Sequence, residues 1–361
     1  WPTGSGPKRN GGTLMPIGTM NQALRTLREI DLQKVRQAAE APFRLFLLGE
    51  AMDVAWLASL IGTRSDRDGR HPWVEVGDAP APAVPGLRDD RRLALLVTRD
   101  PDLSASDKAR AGAMARAGLP LITVLRLASA QPPAGAELPR SGEVARALVH
   151  DSGAASDLSS LATALLVVAE DREGLPIALA RELPVLRPTV VSRLIDEVAR
   201  SNAVYAMTTG LAELAPGMSL AIGPADILVL TKNQLMLAFK IALAAGRKGG
   251  NRELLAEVIG VIGSGLMLRQ VARELVGMVP LIGLVPKVAV AYAGTQVIGQ
   301  TAWAWADEGR RIDRAELRRR YHLALRDATA WARKALRRSA GATPDPAVAN
   351  ASVTAGPSEP S

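Results

Sequence analysis

"VPLIGLVPKVAVAYAGTQVIGQTAWAWADEG", residues 279–309, decides the architecture of this chain. Nineteen uncharged residues run from Val288 to Ala306, fenced by Lys287 and Asp307. Such a run is either a membrane span or a helix buried in a bundle. A span takes about 20 apolar residues to cross a hydrocarbon core of roughly 30 Å, and this run just reaches that length. One stripe of the helix carries Tyr292, Thr295, Gln296, Gly299, Gln300 and Trp303, which want a helical partner; the opposite face, Gly294, Val297, Ile298 and Thr301, tolerates lipid. Trp303 and Trp305 stand just before Asp307, where an aromatic belt meets headgroups. The sequence therefore predicts an inserted helix, with a helical bundle outside the membrane as the alternative.

The flanks extend that expectation. The uncharged run Val258–Leu268 is bracketed too tightly by Glu257, Arg269, Arg273 and Glu274 to cross a bilayer, and its Gly260, Gly263 and Gly265 predict close helix approach. Residues 307–338 hold eleven Arg and Lys against five acids, densest at Arg318, Arg319 and Arg320, which favours the cytoplasmic side and anionic lipid. Nucleic-acid binding by residues 310–338 is the disfavoured alternative: no known nucleic-acid motif is present, and Tyr321 and Trp331 are the only aromatic stacking candidates there.

Composition sets further bounds. The 361 residues are 48% hydrophobic but only 3% aromatic, so the apolar mass is Ala, Leu and Val and helices dominate. Cysteine is absent, which excludes disulfides, thiolate metal sites and a Cys nucleophile; His71, His150 and His322 are too far apart to suggest a ligand spacing. A formal charge of +8 points to an anionic neighbour.

Toward the amino end, residues 20–42 predict an amphipathic helix on Met20, Leu24, Leu27, Val35 and Ala38, ended near Pro42. The pattern then alternates. "FRLFLLG", "RLALLVT" and "LPLITVLRL" read as buried strands separated by helical segments, with Ser104 capping the second helix; this is a doubly wound parallel sheet. In such a sheet the loop leaving the first strand is where a nucleotide phosphate sits. A phosphate loop needs G-x-x-x-x-G-K-[ST] so that backbone amides and a lysine close round the phosphates. Here Gly49 holds the first position, but Val54, Ala55 and Trp56 hold the other three. After the later strand, where small GTPases carry Asn-Lys-x-Asp, the chain reads Leu125, Arg126, Leu127, Ala128. Asp100 reads as a strand-end turn with Pro101. The segment is thus expected to be a GTPase-like sheet without its chemistry: no catalytic residue, cofactor site or metal site.

Residues 155 onward read as helices, with Thr189 and Asn251 as candidate caps and Lys232 and Lys240 snorkelling from the helix that carries Leu228, Leu235, Phe239 and Leu243. The motifs "LTKNQ", "LRQVARELV" after its glycine cluster, "PLIGLVPK" and the closing Gly and aromatic helix resemble domain of unknown function 697, over roughly residues 187–309. That resemblance implies a helical, membrane-associated bacterial module that follows a GTPase domain, and it brings no catalytic residues. The expected organisation is α/β plus all-α: disordered 1–18, a degenerate P-loop GTPase-like domain 19–150, connecting helices 151–225, a helical domain 226–309 with membrane helices, a basic helix 310–338 and a disordered tail 339–361. The expected role is a non-catalytic scaffold or regulator at the cytoplasmic membrane, its sheet and basic helix in the cytoplasm. Its expected partners are anionic lipid and a protein partner or second copy held by the helical domain. The residues expected to make these contacts are Gly260, Gly263, Gly265, Tyr292, Gln296, Gln300, Trp303, Trp305 and Arg318–Arg320. The alternatives are a GTP-binding protein with a non-standard site and a soluble helical-bundle interaction protein.

Overall fold

The structure, a computed structural model, describes residues 31–62, 72–77, 87–128, 136, 142–212, 224–262 and 284–341. Five parallel strands form one sheet: β1 (Arg44–Gly49), β2 (Val74–Val76), β3 (Arg92–Thr98), β4 (Leu121–Leu127) and β5 (Ala145–His150). Their order, β2-β1-β3-β4-β5, places the topological switch point between β1 and β3. The three strands expected from apolar runs are the three central ones, since strands covered on both faces read as continuous hydrophobic stretches. The two edge strands carry no such signal. β2 has three residues, and β5 alternates buried Ala145, Ala147 and Val149 with Arg146, Leu148 and His150.

Both faces of the sheet are covered. Phe46, Leu48, Ala94, Leu96 and Leu121 pack with Met114 of α3 (Ala105–Arg116) on one face. On the other, Leu45, Leu47, Leu95 and Val124 meet Val54 and Leu57 of α2 (Ala51–Leu60) and Leu161 and Leu165 of α4 (Ala155–Ala169). Gly49 has a structural reason for being glycine: a Cβ there would lie 2.4 Å from the Val97 carbonyl oxygen. Ser104 caps α3 as expected, its Oγ accepting from the Asp107 amide at 3.1 Å.

The rest of the described chain is helical: α1 (Leu32–Glu40) precedes the sheet, and α5 (Leu175–Glu182), α6 (Arg187–Ala212), α7 (Pro224–Ala244), α8 (Asn251–Ile262), α9 (Leu284–Ala306) and α10 (Arg314–Gly341) follow α4. Thr189 is not the cap, because the helix starts at Arg187 directly after a turn of 3-10 helix over Pro184–Leu186. Asn251 is the first residue of α8 rather than its cap, and its side-chain amide donates to Gln33 of α1 at 2.9 Å. Of the amino-terminal helix, the part through Leu27 lies outside the described residues. α10 continues through 339–341, where a tail was expected, and the remaining expected disordered residues lie outside those described.

The helix of the opening stretch is central to this bundle. Ala289, Ala293, Val297, Ile298, Ala302 and Trp305 of α9 belong to the same buried apolar cluster as the sheet residues above, together with Phe239 and Leu243 of α7 and Tyr321 of α10. No helix among the described residues is long and apolar enough to cross a membrane. The helix expected to insert is packed against other helices of the chain along most of its length. The face that was to tolerate lipid is covered by protein at Val297, Ile298 and Thr301, and its apolar character serves intramolecular packing.

Arginines fasten the pieces at backbone carbonyls that have no other partner. Arg91, buried beside β3, donates from Nε to Pro42, from Nη2 to Ala41 and from Nη1 to Glu173, at 3.0, 2.9 and 2.8 Å. Burial pushes its pKa below the ordinary guanidinium value against the opposing pull of Asp90. Arg187 donates to Ala180 and Arg181 at the end of α5, and Arg247 to Trp305 and Ala306 at the end of α9.

Two substitutions test this packing. Gly299 of α9 faces α6 so closely that a Cβ would lie 2.5 Å from Ile195 Cγ1, whereas a Cβ at Gly260 meets nothing within 4 Å. Gly299→Ala should cost about 1–3 kcal/mol through forced displacement of a buried β-branched side chain. Gly260→Ala should be neutral or stabilising by up to about 1 kcal/mol, the helix-propensity gain. Thermal unfolding of both variants checks the pair. Arg91→Met should cost about 1–3 kcal/mol by denaturant titration, since three part-buried backbone carbonyls lose a donor.

Candidate functional site at the carboxyl edge of the sheet

In an open α/β sheet, ligands bind outside the carboxyl ends of the strands at the switch point. Here that place lies between the end of β1, leading into α2, and the end of β3. The first turn of α2 points its free amides there, and the positive end of the helix dipole favours an anion. An anion is already present, supplied by the chain: Asp53, in that first turn, is buried. Its Oδ1 accepts from Arg99 Nε at 3.0 Å and Nη2 at 2.9 Å, and from Arg126 Nη1 at 2.6 Å.

Arg126 is the hub. It projects from β4, its Nε donates to Asp151 just after β5, and its guanidinium lies 4.5 Å from the ring centroid of Trp56 on α2. Burial alone would lower its pKa, but the hydrogen bonds to Asp151 and Asp53 outweigh that and hold the value above the ordinary one. Arg126 and Trp56 thus form a packed cation–ring pair that ties β4 to α2 at the carboxyl edge. Next to them His150 Nδ1 meets Asp157 at 2.7 Å, and Asp157 accepts the Ala154 amide at the start of α4. On the α3 side, Thr98 donates to Asp107 at 2.9 Å, and Arg110 joins Asp107 at 3.0 Å and Glu50 at 3.7 Å. Asp100 accepts from the Asp102 amide at 2.8 Å, the turn expected of it. Among the described residues of this edge, Glu50, Asp53, Asp100, Asp102, Asp107, Asp151 and Asp157 outnumber Arg99, Lys108, Arg110 and Arg126. The described part of this edge is thus acidic on balance. No group of three or more His, Asp or Glu side chains among the described residues is placed to hold a metal ion.

The predicted contact residues of the helical half do not converge on one surface. Gly260 is exposed and unapproached, so it does not set a helix crossing, while Gly263 and Gly265 lie outside the described residues. Tyr292 stacks on Trp331 of α10 at 5.6 Å, and Gln296 donates to Asp196 of α6 and to Tyr292. Gln300 is half-buried on the same helix. Trp303 and Trp305 belong to the bundle rather than to an aromatic belt: both contribute to the main apolar cluster, and Arg247 lies 4.8 Å over the Trp305 ring. Arg318 and Arg319 are exposed, and Arg320 is half-buried against Glu316 at 2.6 Å.

The motif "LTKNQ" gains a physical role that spacing did not disclose. Asn233 donates to Asn202 of α6 at 2.7 Å, Asn202 donates to Thr295 of α9 at 2.9 Å, and Gln234 reaches the same Thr295 at 3.3 Å. This buried network joins three helices. A one-turn slip of any of them would strand polar groups in the core, so the network fixes register.

The two arginines on Asp53 differ in exposure, 15% for the Arg126 side chain and 60% for Arg99. A double-mutant cycle with Asp53→Asn should give a coupling of about 1.5–3 kcal/mol for Arg126→Gln. The same cycle with Arg99→Gln should give about 0.2–1 kcal/mol, the range of exposed pairs. Equal couplings would show that burial does not set the strength of this cluster.

No family model matches the chain, and no curated protein or solved structure is significantly similar to it.

Proposed function

We propose that the protein is a non-catalytic scaffold or regulator, in which a nucleotide-incompetent GTPase-like sheet is joined to a helical bundle that works at an anionic membrane surface. The observation that carries the first half is Asp53. A carboxylate buried at the amino end of α2, held by Arg99 and Arg126, takes the electrostatic role that a bound phosphate has in nucleotide-binding relatives of this architecture. Binding a nucleotide would require breaking these ion pairs, and the surrounding excess of carboxylates would repel it. Among the described residues of this edge the one hydroxyl–carboxylate pair, Thr98 on Asp107, has its carboxylate held by Arg110 as well, which favours a binding protein over an enzyme.

The membrane half of the reading rests on charge. It assigns lipid contact to the surface of the folded bundle and not to a span, because α9 is occupied in the core. That same burial favours a second reading, a helical-bundle protein whose partners are other proteins.

Titration with a fluorescent GTP analogue in the presence of magnesium is the test of the first half. The expected result is no saturable binding in the micromolar range. Saturable micromolar binding by the wild-type protein, with the fold retained by circular dichroism, would overturn it.

A further inference from the structure

The apolar side of α10 is spent on the bundle: Leu317, Tyr321, Ala328 and Ala332 are buried. The other half of its circumference is exposed and carries Arg318, Arg319, Arg326, Arg333, Lys334 and Arg337, opposed on that face only by Asp327. None of these six cations makes an ion pair among the described residues, whereas the neighbouring Arg310 and Arg320 are both taken up by Glu316. From Arg319 to Arg337 the stripe is about 27 Å long at ~1.5 Å per residue. Leu323, 54% exposed, is the one exposed large apolar side chain among its described residues.

We infer that this face of α10 is the lipid-facing surface, docking flat on anionic headgroups through the arginine stripe, with Leu323 at the level of the acyl boundary. The inference rests on the membrane-surface part of the reading above and adds to it the face, the orientation and the absence of deep insertion. Three observations select lipid over nucleic acid. The stripe belongs to a helix seated along α9, so it presents a broad face and not a protruding rod that enters a groove. Aromatic surface for base stacking is scarce among the described residues of α10, since Tyr321 is buried and Trp331 is stacked on Tyr292, which leaves His322 as the exposed ring. The exposed leucine amid the cations has a use at an acyl boundary and none against phosphates in water.

The full-length protein is mixed with vesicles of phosphatidylcholine alone or with added phosphatidylglycerol, and partitioning is read by co-sedimentation. The wild type should bind the anionic vesicles only, and less as salt rises. The variant R319E/R326E/R333E should lose on the order of 100-fold in partitioning, from about 1 kcal/mol per basic residue near an anionic surface, with an unchanged unfolding temperature. K248E/R252E, exposed on and just before α8, should bind as the wild type does and so exclude a general charge effect. If the wild type binds and R319E/R326E/R333E binds equally well, the α10 assignment is wrong while the membrane reading stands. If the wild type ignores anionic vesicles, both fall. Tighter binding of duplex DNA than of vesicles at equal salt, lost in the same variant, would reassign the face to nucleic acid.

Discussion

The helical half depends on the enclosure of α9 by protein on every side. A helix with no charged residue from Val288 to Ala306 can satisfy its own backbone, but its side chains must find cover. α6, α7, α8 and α10 supply that cover, and the cost of supplying it shapes each of them. α6 must place Ile195 against a residue without a side chain, which only Gly299 allows. Polar groups that α9 carries into the core must be met, so α6 brings Asn202 and Asp196 and α7 brings Asn233 and Gln234. α10 must turn an apolar face inward, which leaves its cations outward.

The same core runs into the sheet, and this changes what the α/β portion can do. α4 packs on β4 and β5, and α5 and α6 pack on α4 and on one another, so that all three join the apolar cluster of the sheet face that also receives α2. Arg91 ties the start of β1 to the turn between α4 and α5. A GTPase sheet that switches must let the loops at its carboxyl edge move with the nucleotide. Here the loop after β1 is held to β3 and β4 by the two arginines on Asp53, and Arg126 extends the tie to β5 through Asp151. The edge is cross-linked by groups of the chain itself, which suits a fixed platform better than a switch.

Much of this was legible in sequence, and the rest was hidden for identifiable reasons. Continuous apolar runs disclosed β1, β3 and β4 because both faces of the sheet are covered; β2 and β5 escaped because edge strands are short or mixed in character. That no phosphate-loop motif follows β1 was visible in Val54, Ala55 and Trp56, but not what occupies its place. A signal did exist, since an arginine inside the apolar strand "LITVLRL" and an aspartate inside the apolar helix "EAMDVAWL" each require a buried partner. Pairing them needed the sheet order. Hydropathy over nineteen residues could not separate a span from a central helix, because both are apolar all round. The stripe Tyr292, Gln296 and Gly299 meets α10 and α6; that the opposite face is covered as well is a property of the whole bundle and not of the segment.

The net charge of +8 overstates what the surface can offer, because part of it is consumed inside. Arg91, Arg172, Arg187 and Arg247 spend their donors on carbonyls, most of them at helix ends and turns, and Arg146 is buried in a paired fork with Glu143. Arginine suits this work, since its planar, weakly hydrated guanidinium reaches two or three carbonyls at once. Arg99 and Arg126 are committed to the sheet edge, which is acidic on balance. Among the described residues, the densest run of exposed cations without an ion pair lies on the outer face of α10. The described arginines thus divide into a structural part, turned toward carbonyls and carboxylates of the chain, and an exposed part that is most concentrated on one helix. An anionic partner is recognised by the second part alone, which is why the location of the arginines carries more functional information than their number.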